Sequence, residues 1–178
     1  MTTAQGDTYP GLYRGTVTFN ADPEFRGRLL LTIADVLSFV PSTWAEPCTP
    51  LAGPTGPPMG VYMVPPVGAG VWVMFERGDV NNPVWLGCRF DIPASVPPTA
   101  LLGNPADPNI HIQSLLQHSI SISDTPPTPA TGGIVLRSTT GAMIVVNDSG
   151  IYINNGKGAM ITMLGPVIDF NTGALTVK

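Results

Sequence analysis

From residue 110 onward, apolar and polar positions alternate in short runs. Ile110 and Ile112, Ile120 and Ile122, Ile134 and Leu136, Ile144 and Val146, Ile151 and Ile153, Ile161 and Met163, Ile168 and Phe170, and Leu175 and Val177 are each separated by one residue. Side chains of a strand point to opposite faces in turn, so this period of two predicts short strands with one apolar face. Gly133, Gly141, Gly150, Gly158, Gly165 and Gly173 punctuate the runs at intervals of 8, 9, 8, 7 and 8 residues. Glycine permits a positive φ or a close backbone approach at each corner. The fragments Gly141-Ala142-Met143-Ile144, Gly158-Ala159-Met160-Ile161 and Gly173-Ala174-Leu175-Thr176 read as copies of one unit. A short fixed period marks a stacked β architecture, and such a rung is too short to close a solenoid coil alone.

The first half has the same character without the repeat. Gly11–Asn20, Arg28–Ile33, Val61–Val64, Gly70–Glu76 and Val84–Phe90 read as strands, with Asp22-Pro23 and Gly78–Pro83 as turns. Residues 35–43 are apolar but irregular. Five prolines and three glycines between Glu46 and Gly60 predict a long ordered loop. Short strands at this density suit a small closed barrel, which leaves no sheet edge free. Pro93, Pro97, Pro98, Pro105 and Pro108 then mark a stiff linker. The expected division is a barrel at 1–92, a linker at 93–109 and a stacked rod at 110–178. No segment keeps a helical period over ten residues, so the fold class is all-β.

Composition narrows the field. The chain has 178 residues, 43% of them hydrophobic and only 11% charged, with 20 Gly and 20 Pro. That hydrophobic share argues against disorder despite the Pro and Gly content. A net charge of −4 with eight Lys and Arg disfavours a nucleic-acid surface. No apolar run reaches the ~20 residues of a membrane span, and no signal peptide opens the sequence, which points to synthesis in the cytoplasm. Cys48 and Cys88 lack metal-ligand spacing and read as two buried free thiols.

The rod segment carries six charges: Asp124, Arg137, Asp148, Lys157, Asp169 and Lys178. Alone, such a strip would expose a long apolar face and unpaired edges. Three copies winding around one axis remove both, with every strand pairing to a neighbouring chain. Ile134, Leu136, Ile144, Val146, Ile151, Ile153, Ile161, Met163, Ile168 and Phe170 then fill the axis. A single-chain sandwich or solenoid is the competing arrangement.

Catalytic patterns are missing: no G-x-S-x-G, H-E-x-x-H, Walker loop or G-x-G-x-x-G opens a helix. Asp35 and Glu46 flank an apolar stretch without the context of a glycosidase pair. No cofactor is implied. His111 and Gln113 could share the trimer axis, but a hydrogen-bonded histidine is the plainer reading. Trp72, Phe75 and Trp85 could stack bases in a barrel groove, yet core filling suits an acidic protein better.

The run Pro65-Pro66-Val67-Gly68-Ala69-Gly70-Val71-Trp72-Val73-Met74-Phe75-Glu76-Arg77-Gly78-Asp79-Val80-Asn81-Asn82-Pro83-Val84-Trp85-Leu86-Gly87 resembles the OB-fold of the phage baseplate assembly protein V and VgrG-type spike family. Its motif positions here are Pro66, Gly68, Phe75, Gly78, Asp79, Pro83 and Gly87. Trp44, Cys48, Pro50, Gly53, Gly60, Tyr13–Val17 and Gly27–Leu29 are similar to the same family, as is the ending Gly165–Val177. The resemblance implies an N-terminal OB barrel followed by a trimeric intertwined β-helix, the central spike beneath a contractile tail. It implies a homotrimer docked on a separate hub protein, since no hub domains are fused here. It also implies a PAAR-type cap on a platform at Leu175, Val177 and Lys178, effector cargo, and contact with the target membrane only during injection. The particle would be a phage tail or another contractile injection system. A carbohydrate- or receptor-binding tail tip is the rival from another class.

Overall fold

The computed structural model describes residues 8–53, 56–102, 106, 109–124 and 133–177. The chain divides into two compact units, Met1–Asp91 and Ile92–Lys178.

In the first unit, β1 (Tyr13–Phe19), β2 (Leu30–Thr32), β3 (Glu46–Pro47), β6 (Gly70–Phe75) and β7 (Pro83–Arg89) form one sheet in the order β2-β1-β6-β7-β3. A bridge between Leu29 and Ala45 joins the two ends of that sheet, with paired N–H···O bonds of 3.1 and 2.8 Å. The sheet is thereby closed into a barrel. Alternate residues fill it: Val17, Leu29, Leu31, Ile33, Ala45, Val71, Val73, Phe75 and Trp85 are all buried. The Trp85 indole N–H donates to the Gly27 carbonyl at 3.1 Å, so the largest ring enters with its polar atom satisfied.

Two expectations are corrected here. Val61–Val64 is not a strand; prolines at 65 and 66 stop it, and Val61, Tyr62 and Met63 stay exposed. The pairing comes instead from inside the proline-rich loop, where β4 (Ala52–Gly53) and β5 (Met59–Gly60) make a two-residue ladder. The irregular stretch after β2 holds a single helical turn, α1 (Ala34–Leu37), with Asp35 in its first turn.

The connection from β1 to β2 is organised by one carboxylate. Asp22 is 6% exposed and accepts bonds from the backbone N–H groups of Glu24, Arg26 and Arg28. The guanidinium of Arg28, 8% exposed, donates to it through Nε at 3.1 Å and an Nη at 2.7 Å. The same guanidinium lies 5.3 Å from the Trp44 ring centroid. The Arg28 bond is the largest of the effects that hold the Asp22 carboxyl far below the usual carboxylate range.

The second unit is a single antiparallel meander of eight strands: β8 (Ile110–Gln113), β9 (Ser119–Ser123), β10 (Gly133–Arg137), β11 (Met143–Asn147), β12 (Gly150–Asn154), β13 (Met160–Leu164), β14 (Val167–Phe170) and β15 (Leu175–Val177). Each strand pairs with the next one in sequence. The expected pairing of every strand with a neighbouring chain is thus replaced by pairing within the chain, because the turns are short enough to fold each strand back on its predecessor. All six pacing glycines have positive φ. Asn147, Asn155 and Asp169 close turns by accepting backbone N–H bonds from Gly150, Ala159 and Gly173.

Two measurements check this account. Because the Asp22 carboxyl ionises at lower pH in the folded barrel than in the unfolded chain (near 3.9), its bond to Arg28 stabilises fully above that value and is lost as pH falls through and below it. Asp22→Asn should lower the thermal midpoint at neutral pH and flatten its decline below about pH 4. In the meander, a Cβ at Gly133 (φ 84°) would run into the Val146 carbonyl oxygen, whereas one at Gly141 (φ 89°) meets nothing within 4 Å. Gly141→Ala should cost about 1–2 kcal/mol from φ alone, and Gly133→Ala measurably more in the same denaturation assay.

Candidate trimer interface

Residues directly opposite on a β-ladder share a face. Register therefore sorts the meander without ambiguity. Ile110, Ile122, Ile134, Val146, Ile151, Met163, Ile168 and Val177 form one row across the eight strands. Ile112, Ile120, Leu136, Ile144, Ile153, Ile161, Phe170 and Leu175 form a second, parallel row on the same face. The ten positions read as axis-filling from the sequence all fall in these two rows, together with the four isoleucines of β8 and β9. At ~4.8 Å per strand the strip is about 34 Å long.

Among the described residues, none covers this face fully: most of its positions are exposed, and Ile151, Ile161, Met163 and Phe170 are half-buried. Ile110 is 62% exposed, Ile134 49%, Ile144 41% and Ile168 37%. The opposite face behaves differently: Val135 and Val145 are buried at 7% and 0%, in a row that runs His111, Ser121, Val135, Val145, Tyr152, Thr162, Asp169 and Thr176. A continuous apolar face this long marks an association surface.

His111 belongs to the covered side. It lies one residue from both Ile110 and Ile112, hence on the opposite face of the strand, so it cannot share an apolar axis with them. Its Nε2 lies 2.8 Å from Thr99 Oγ1 and its Nδ1 2.7 Å from Ser121 Oγ, with Gln113 Oε1 3.2 Å from Nε2. Both ring nitrogens are engaged within the unit. Among the described residues no group of three or more His, Cys, Asp or Glu side chains could hold a metal ion.

Leu175 and Val177 occupy the ends of the two apolar rows on β15, which is the last strand of the sheet. Lys178 lies outside the described residues.

The motif residues of the barrel turn out to shape it. Pro66 accepts the Ala69 N–H across a turn at 3.1 Å, and Gly68 (φ 89°) donates to the Val17 carbonyl at 2.8 Å. Phe75 is in the core, with the Tyr9 and Tyr13 rings 6.0 and 5.5 Å away. The Gly78 carbonyl receives the Tyr9 N–H at 2.9 Å. Asp79 caps its turn through Asn81 N–H at 3.0 Å and the Asn82 amide at 2.8 Å. Pro83 is fully buried opposite Phe75, and Gly87 faces Trp72 beside a bulge in β7.

Two barrel expectations change. Trp72 is not core: it lies on the outer side with the Arg14 and Arg89 guanidiniums each 5.9 Å from its ring. Cys48 and Cys88 are free but exposed, on the rim of a groove of about 310 Å³ with Tyr62, Met63, Val64 and Trp85. Partial burial there pushes the Cys88 thiol up.

No helix among the described residues is long and apolar enough to cross a membrane. No curated protein matches the sequence significantly. Two family models do match. Residues 13–90 match the type VI secretion system/phage-baseplate injector OB domain, which coincides with the closed barrel. Residues 109–176 match the phage baseplate V C-terminal trimerisation domain, which coincides with the meander and its uncovered face. A barrel of the injector type followed by a sheet of the trimerisation type makes this chain a member of the phage baseplate V and VgrG-type spike family.

Proposed function

We propose that the protein is the homotrimeric central spike of a phage tail or contractile injection system. One observation carries this reading: the meander presents two unbroken apolar rows that the described residues of its own unit leave exposed or half-exposed, in a chain that also carries an injector-type barrel. Three strips facing inward would bury those rows around a common axis and convert three flexible sheets into one stiff prism.

The role is mechanical. The barrel adapts the rod to a separate hub protein, and the rod transmits the thrust of sheath contraction to the target envelope. The β15 end, where the last strand has a free edge, receives a PAAR-type cap, and cargo effectors travel with the tip. None of these steps asks the chain to perform catalysis. Its polar clusters, such as Asp22 with Arg28 and Asp79 with Asn82, are satisfied by one another and serve the fold.

Light scattering on the purified chain should report three times 18.7 kDa. Ile153→Asp places one carboxylate per chain on the axis, where burial of an unpaired charge costs several kcal/mol. That variant should give monomers or aggregates, while Tyr152→Asp, on the other face, should remain trimeric. An Ile153→Asp protein that still forms trimers would sink the axial arrangement. Purified spike and cap should co-elute, and a cap bound equally well by a trimer lacking β15 would place the docking site elsewhere.

A further inference from the structure

Successive connections of the meander alternate between its two edges. Residues 114–118, 138–142, 155–159 and 171–174 lie on one, and 124–132, 148–149 and 165–166 on the other. Three turns of the first edge, 138–142, 155–159 and 171–174, consist only of Ser, Thr, Asn, Lys, Gly and Ala. The fourth departs from them. Its tip is Leu115 and Leu116, 83% and 70% exposed. The bend itself does not call for leucine, because other groups make it. The Ser114 N–H donates to the His118 carbonyl at 2.9 Å, the Gln117 N–H to the Ser114 carbonyl at 2.8 Å, and the His118 N–H to Ser114 Oγ at 3.1 Å. The Thr139 hydroxyl donates to the Leu116 carbonyl, tying the tip to the next turn on the same edge. The two leucines are therefore held outward by a braced turn, and little order remains to be gained when something covers them.

A second exposed leucine pair stands at the other end of the same strand. The chain enters β8 from the second edge, and the turn Pro98–Leu101 lies against the His111 face of that strand. Thr99 Oγ1 is 2.8 Å from His111 Nε2, and the Leu102 carbonyl accepts the Asn109 side-chain amide. Leu101 and Leu102, 66% and 49% exposed, are thereby fixed beside the start of β8, while Leu115 and Leu116 lie just past its end. Within one chain the length of β8, about 13 Å, keeps the pairs apart.

Symmetry supplies what each pair lacks. In a threefold ring of identical strips with the same face inward, the first edge of every copy meets the second edge of the next, and the contact repeats unchanged around the axis. Both leucine pairs flank one strand, so they stand level with no displacement of one copy along the axis against its neighbour. The surface is also continuous with the apolar rows, since Ile110 and Ile112 of β8 are 62% and 56% exposed, and β8 falls within the stretch that matches the trimerisation domain.

Resting on the trimer reading above, we propose that Leu115 and Leu116 of one copy seat on Leu101 and Leu102 of the next, forming three identical clasps that close the ring at its β8 end. The clasps cover apolar surface at the outer corners, which the axial rows do not reach. They also anchor the linker of each copy on the rod of its neighbour.

The test uses the full chain with Cys48→Ser and Cys88→Ser, first shown to be a trimer by mass; a monomer, in this background and in wild type, would overturn the trimer reading and the clasp with it. Leu101→Cys and Leu116→Cys are then introduced together and treated with a short bismaleimide. The clasp predicts bands at two and three chain masses on a denaturing gel, with each single-cysteine variant staying at one. Cross-links confined to one chain by peptide mapping, or none, would reject the clasp while leaving the trimer standing. In a separate chain, Leu115→Ser with Leu116→Ser should leave the circular dichroism of the exposed turn's sheet unchanged. It should weaken each contact about tenfold, hence raise the trimer dissociation constant on the order of a thousandfold over three contacts. A dissociation constant equal to that of wild type would count against the clasp independently of the cross-linking.

Discussion

A β-sheet can satisfy all its backbone bonds and still be incomplete if one face has no cover. The C-terminal meander is in that position. Its ladder is continuous from β8 to β15, yet two rows of apolar side chains stay exposed or half-exposed among the described residues. Every other property of this half of the chain follows from closing that face: few charges on the strands, small residues at the corners, and polar side chains kept to the opposite side. The barrel is the contrasting case. Its ends meet at Leu29 and Ala45, and its core is filled by its own residues.

That contrast assigns the labour. The barrel supplies a rigid, self-contained body whose sequence motif is spent on turns and core contacts rather than on chemistry. Pro66, Gly68, Gly78, Asp79 and Pro83 bend the backbone or cap it, and Asp22 with Arg28 ties down the longest bare connection around β1. The meander supplies the association surface.

Much of this was legible in the sequence for a local reason. Period two is a property of the backbone itself, so Ile134 with Leu136 or Ile161 with Met163 declare their common face without knowledge of any partner. The same periodicity placed His111 opposite Ile110 and Ile112; considering it with Gln113 alone hid that fact. The identity of the pairing strand was not legible, because a strand looks alike whether its neighbour belongs to its own chain or to another. Val61–Val64 misled since apolar, β-prone residues do not form a strand when prolines deny them a ladder. Asp22 read as a turn residue, and only the folded loop brings three N–H groups and Arg28 onto its carboxylate. Trp72 faces outward by the plain alternation of β6, between the buried Val71 and Val73, whereas Cys88 lies past the bulge in β7 that shifts its own strand.

The alternation of successive connections between the two edges of the sheet has a consequence for how such rods can vary. Each added strand carries the chain across to the far border of the sheet, so a single extra strand would end the polypeptide on the wrong side and invert every later connection. Only insertions of a whole hairpin preserve the sidedness. Rod length in this architecture is therefore quantised, growing or shrinking by about 10 Å at a time, and any change in reach must be made in even numbers of strands.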